Sequence, residues 1–202
     1  MGNEDNILAN LADTRSIEDL IQVALTRYDD DEGSNPGWDG LNILRNRASQ
    51  EVIDTARQLA HSGDPADRAL AADILAQLGH IIEMPKGVFF EERVPLLIEM
   101  LEKDKDESVL SCAAVGVGHM GDIRFVPALV ALKCHPSENV RFGVAFGLAG
   151  LDDDRAIDTL VELSSDMDAQ VRDWATFGLG QQSDRDTPDI RDALIRRLED
   201  PD

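Results

Sequence analysis

Four histidines are the first residues to test for chemistry: His61, His80, His119 and His135. Two imidazoles share a helix face, and can hold a metal ion together, when they stand four residues apart. No pair has that spacing, and none of the four is followed by Glu. The acidic run Asp29-Asp30-Asp31-Glu32-Gly33 raises calcium, but an EF-hand loop needs Gly at its sixth position and Glu at its twelfth. Counted from Asp29, those places hold Ser34 and Gly40, so the run reads as a solvated loop, as does Asp152-Asp153-Asp154. Cys134-His135 sets a nucleophile beside a base, yet neighbours on a turn face apart and no third group orients them. Gly-rich phosphate loops, nucleophile elbows and zinc spacings are absent from the sequence. The chain reads as non-catalytic, with no metal site and no cofactor.

What remains is a repeat. Three segments align without gaps, beginning at Val109, Val140 and Val171 and so spaced by 31 residues: VLSCAAVGVG, VRFGVAFGLA and VRDWATFGLG. A further copy, Asp67 to Ala76, lies 42 residues upstream of the first, and the excess forms an insertion around His80 to Phe90. Its apolar content suits a plug over the core, and insertions in arrays also carry contacts. Each copy from Val109 onward follows another apolar helix pattern, at residues 94–101, 126–132 and 156–163, and residues 190–198 supply one more. Polar turns separate the two patterns of a pair, and their Ser and Asp side chains can cap the next helix. Pro95, Pro127 and Pro188 are expected in first turns, where a missing N–H costs nothing. Gly116, Gly147 and Gly178 sit inside second helices despite a cost of about 1 kcal/mol each relative to Ala, which points to close helix approach.

The pattern predicts an all-α fold of antiparallel helix pairs, each burying its apolar face against its neighbours. Residues 1–48 read as an N-terminal helical cap, with an amphipathic helix from Ser16 to Tyr28 and a turn-rich acidic loop over 29–40. Residues 49–202 read as the repeat array, its last pair half present. The apolar face of that closing helix (Ile190, Leu194, Leu198) is expected to meet another molecule, end to end or in a dimer, or to be the least stable element.

The V-R-x-x-A-x-x-x-L-G signature, carried by Val171, Arg172, Ala175, Leu179 and Gly180 and in part by Val140, Arg141, Val144 and Leu148, resembles the bacterial HEAT-like repeats of the phycobilisome-lyase type. The copy at Val109 departs from it, with Leu110 in place of Arg. The resemblance implies a right-handed α–α superhelix of the HEAT-like or armadillo type, with second helices lining a concave face. It further implies a scaffold or adaptor that binds protein there. Two other functions occur among similar proteins: an immunity-type inhibitor of a basic toxin, and a bilin lyase handling a chromophore.

On a helix stepping 100° per residue, repeat positions 1, 5, 8, 9 and 12 face inward and 3, 7 and 10 outward. Phe142, Phe146, Asp173 and Phe177 therefore point out, with Trp174 on the flank. They are the candidate partner-binding residues, and the other reading is that the rings fill grooves between repeats. Arg68, Arg141 and Arg172 recur at one repeat position, as an anion-binding ladder or, on the reading we favour, as pairs with acids near the turns.

Acidic residues outnumber basic ones 40 to 19, for a net charge of -21. That disfavours nucleic acid and anionic membranes, which need clustered Lys and Arg, and suits a basic protein partner or plain solubility. Hydrophobic residues at 43% with helical spacing argue against disorder. Cys112 and Cys134 lack any framework spacing, and with no signal-peptide or membrane-spanning pattern the chain is expected in the cytoplasm.

Overall fold

The structure is a computed structural model that describes residues 12–27, 35–79 and 86–198. Those residues form helices and turns, with no strand among them. The chain divides into two compact units, Met1–Leu97 and Ile98–Asp202.

In the first unit, α1 (Ile17–Ala24) buries Leu20, Ile21 and Ala24, and starts at Ser16, whose hydroxyl accepts from the Asp19 N–H at 3.0 Å. Helix α2 (Pro36–Arg47) packs on it. This corrects the expected loop over 29–40: Asn35 caps Gly37 and Pro36 occupies the first turn, so helix begins inside that stretch. Residues 28–34, with the acidic run, lie outside the described residues. Helices α3 (Gln50–Leu59) and α4 (Pro65–Gln77) pair as the first clear hairpin, capped by Ser49 and Asp64. Asp73 of α4 holds Arg27 in a buried ion pair of 2.8 Å.

The insertion expected around His80 to Phe90 is described only from Lys86 on. Its end is pinned by Arg93, a fully buried arginine. Arg93 Nη1 donates to the Leu75 and Ala76 carbonyls at 2.6 and 3.3 Å, and Nη2 to the Lys86 carbonyl. Leu75 and Ala76 lie in the last turn of α4, whose carbonyls lack intrahelical donors and form the negative end of the helix. Burial lowers the Arg93 pKa to about 10, which leaves it charged at neutral pH.

Helix α5 (Phe90–Lys103) runs across the division between units. It starts four residues before the apolar run at Val94, so Pro95 sits inside the helix and not in its first turn. The second unit continues with α6 (Glu107–Met120), a short 3₁₀ turn (Ile123–Phe125), α7 (Val126–Ala131), α8 (Glu138–Leu148), α9 (Asp154–Leu163), α10 (Ala169–Phe177) and α11 (Pro188–Leu198). Helices α6, α8 and α10 pack side by side in one layer, and α7, α9 and α11 succeed one another in a second. Apolar periodicity fixes the buried stripe of α9 at Ala156, Ile157, Leu160 and Leu163.

Close approach explains a glycine inside α8. A Cβ on Gly147 would lie 2.9 Å from the Ala114 carbonyl oxygen of α6, nearer than a side chain tolerates. The inward residues Val140, Val144 and Leu148 of α8 are fully buried, as are Val171 and Ala175 of α10. The third repeat departs from its siblings at Gly178–Gln182, where the helix widens into a π-helical turn.

Candidate functional site

The repeated arginines come first, because their position decides the charge of the face. Arg141 forms a bidentate pair with Asp166, Nε to Oδ2 at 2.8 Å and Nη2 to Oδ1 at 2.9 Å. Its Nη1 donates to the His135 and Pro136 carbonyls. Arg172 repeats the gesture one repeat later, donating to the carbonyls of Asp166 and Met167, and Arg68 does so to Ser62. Each arginine thus turns back to the loop before its own helix. Asp166 is pushed up by burial, but hydrogen bonds from Arg141 and from the Asp168 N–H outweigh that and hold its carboxyl below the usual range. Arg141 bears out the favoured reading of an arginine paired with an acid near a turn, whereas the bonds of Arg68 and Arg172 run to loop carbonyls.

With the arginines turned to their loops, the outward face of α8 and α10 is aromatic. Trp174 is the hub: its indole meets Phe142 at 5.9 Å between centroids, Phe146 at 4.8 Å and Phe177 at 5.4 Å, all edge to face. Phe146 also meets His119 of α6, at 5.0 Å. Edge-to-face contacts are the favoured geometry, because ring edges carry the positive and ring faces the negative part of the quadrupole. The Phe146 ring lies over Gly118, where a Cβ would stand 2.5 Å from its Cδ1. Phe142, Phe146 and Trp174 are half-buried and Phe177 is 41% exposed. The rings pack on each other across repeats and still present surface.

Asp173 stands beside Trp174, exposed, and accepts from Arg197 of α11 at 2.6 Å. The structure brings four of the five sequence-predicted residues, Phe142, Phe146, Trp174 and Phe177, into one ring cluster, while Asp173 is tied to α11. His119, the ring that extends the row onto α6, was not among them; its signal was its place one turn beyond the position that Phe146 holds in α8.

Other chemistry has little support in the geometry. The ring Nδ1 of His135 accepts from the Ser137 N–H, so it is turned to its own loop and away from a role beside Cys134, and Ser137 itself makes no side-chain cap. A pocket between Gly150 and Gln182 has its rim tied by Arg185, which pairs with Asp152 and Asp154. Among the described residues no group of three His, Cys, Asp or Glu is placed to hold a metal ion, and no helix is long and apolar enough to cross a membrane.

The fold and its repeat define the class. Residues 94–180 match the family model for HEAT repeats, and the all-helical chain has the fold of the HEAT and armadillo repeat solenoids. The Escherichia coli protein YibA is similar over the whole of this chain and 71% of its own, at 21% identity and a TM-score of 0.73. A designed armadillo repeat protein, solved in complex with the peptide (KR)4, is similar over 92% of this chain and 91% of its own, at 16% identity and a TM-score of 0.58. An engineered protein is similar over 96% of this chain and 98% of its own, at 18% identity and a TM-score of 0.54. No curated protein matches the sequence. At these identities the likeness carries the fold.

Proposed function

We propose that this protein is a non-catalytic scaffold or adaptor that binds a protein partner on the outward face of its second helices. The observation that carries the reading is the ring cluster of Phe142, Phe146, Trp174 and Phe177, which spans two repeats and exposes Phe177. Clustered surface aromatics give large apolar contact at small entropic cost, and binding energy concentrates on such residues. The armadillo design similar in fold was solved with a basic peptide, which supports a protein partner of basic character for a chain of charge -21. The V-R-x-x-A-x-x-x-L-G signature supports HEAT-like repeats of the phycobilisome-lyase type in a bacterial protein. Reduced thiols at Cys112 and Cys134 suit a reducing cytoplasm.

A second reading, an immunity-type inhibitor of a basic toxin, draws on the same acidic surface. A toxin gene beside this one in the genome would favour it over a general adaptor. The test of the first reading is affinity capture from the native host with two baits, wild type and Phe142→Ser/Phe177→Ser. The expected result is one or a few proteins retained by the wild type and lost with the variant. Retention of the same proteins by both baits, at equal yield, overturns the assignment to this face.

A further inference from the structure

Three arginine–aspartate links run through α11 and the loop before it. Arg185 of the loop reaches back to the turn before α9, where it bonds Asp152 at 2.7 Å, and to Asp154 at the first residue of α9. Arg191 of α11 pairs with Asp186 of the loop at 2.5 Å, and Arg197 of α11 with Asp173 of α10 at 2.6 Å. The aspartate side chains of these links are 67–87% exposed, so dissolved ions reach them and screen the attraction. Apolar contact does less here than in the sister helix of the same layer. Helix α9 buries Ala156, Ile157, Leu160 and Leu163, whereas α11 buries Ile190 and Ala193. Its Leu194 meets the end of α10 loosely, 3.5 Å from where a Cβ on Gly180 would stand.

Charge also sets this segment apart. Residues 183–198 hold four Asp and four Arg, so the rest of the chain carries the whole formal charge of -21. Screening by salt therefore acts oppositely on the two: it relieves repulsion within the body and weakens the links that dock the segment. We propose that residues 183–198 form a salt-released clamp, docked on α9 and α10 at low ionic strength and undocked as ionic strength rises. The loop 183–187, which lies outside both helices, supplies the hinge. Undocking bares Ile190 and Ala193 with the sides of α9 and α10 on which α11 packs, and it takes the Arg197 guanidinium away from Asp173. The clamp does not depend on whether the rings of α8 and α10 bind a partner.

Hydrogen–deuterium exchange of the full chain tests the clamp, read on peptides from α11 and α8 and corrected by an unfolded peptide in the same salt. Between about 0.1 M and about 1 M NaCl the Debye length falls from about 10 Å to about 3 Å. The expected result is exchange of α11 that quickens at least about fivefold with salt, while α8 holds level or slows. Arg185→Gln should quicken α11 about threefold at low salt and shrink its salt response. Arg185→Glu should open α11 further. Adding Asp152→Lys and Asp154→Lys to that charge reversal should restore protection, which a role in packing alone would not allow. Protection of α8 in each variant confirms that the body is folded.

Exchange of α11 that is indifferent to salt, or that slows with salt as α8 does, overturns the clamp. A charge reversal that the paired lysines fail to rescue, with α8 still protected, overturns it as well. Should a variant unfold, the salt response of the wild type decides by itself.

Discussion

Arg141 and Asp166 tie three segments of the second unit: the α7–α8 turn, α8 and the α9–α10 turn. The side chains are 8% and 9% exposed, and the pair is bidentate. Removing one partner of a buried pair strands the other, so Asp166→Asn should cost about 3 kcal/mol. Arg141→Lys, which cannot bridge both oxygens, should fall short of wild type as well. The pH dependence has a definite sign. Asp166 has a folded pKa below its unfolded one, so its contribution is full above about pH 4 and is lost as pH falls through the folded value. Asp153, the cap of α9, is held at about 2 by the Arg155 side chain and follows the same sign. Thermal melts should stay level from pH 7 to 5 and fall below about pH 4, with a shallower fall in Asp166→Asn. A melt that rises on acidification contradicts this pairing. The residue pattern alone favoured an arginine paired near a turn; it did not identify Asp166, because that carboxylate comes from the turn of the following repeat, 25 residues on.

Among elements, α11 should be the first part of the second unit to open. It buries Ile190 and Ala193, but Ile195 is 57% and Leu198 85% exposed. Few buried apolar contacts and exposed backbone bonds mark low local stability. Hydrogen exchange should therefore show its amides exchanging ahead of those of α8, whose Val140, Val144 and Leu148 are fully buried. Equal protection in a demonstrated monomer contradicts the expectation. The second helices were legible in sequence because small and apolar positions recur at a fixed period. Helix α2 was not, and the reason is physical. Gly37 and Gly40 read as turn residues, whereas a Cβ on Gly37 would lie 2.3 Å from the Arg27 backbone N and one on Gly40 3.2 Å from the Ala24 N. They are glycines because α2 lies tightly on the chain of α1 and the turn after it, the same device that Gly147 serves in α8. The early start of α5 was hidden likewise, since Pro95 imitates a first-turn proline.

At the scale of the whole molecule the charge of -21 acts on association more than on fold. A basic partner should be steered toward the protein, so its association rate should drop as salt rises past physiological strength, where the Debye length is about 8 Å. An on-rate indifferent to salt removes steering and leaves the ring cluster to act alone. The outward placement of the rings was readable from repeat position. Their mutual contacts were not, because Phe142 and Phe146 meet Trp174 diagonally across repeats, and ring orientation has no signature in spacing.

The central claim is that these rings are displayed for a partner more than they are needed by the fold. The measurement that tests it most directly compares Phe146→Ser/Phe177→Ser with Leu148→Ala/Leu179→Ala, by thermal melt and by affinity for the captured partner. Leu148 and Leu179 are 0% and 2% exposed, and each Leu→Ala should cost about 2–5 kcal/mol. Half-buried Phe146 and the 41% exposed Phe177 should together cost about 2 kcal/mol or less. The account predicts that the phenylalanine pair loses the partner while melting well above the leucine pair, and that the leucine pair, where still folded, keeps the partner. A phenylalanine pair that melts as low as the leucine pair, or that still holds the partner at wild-type affinity, would contradict it.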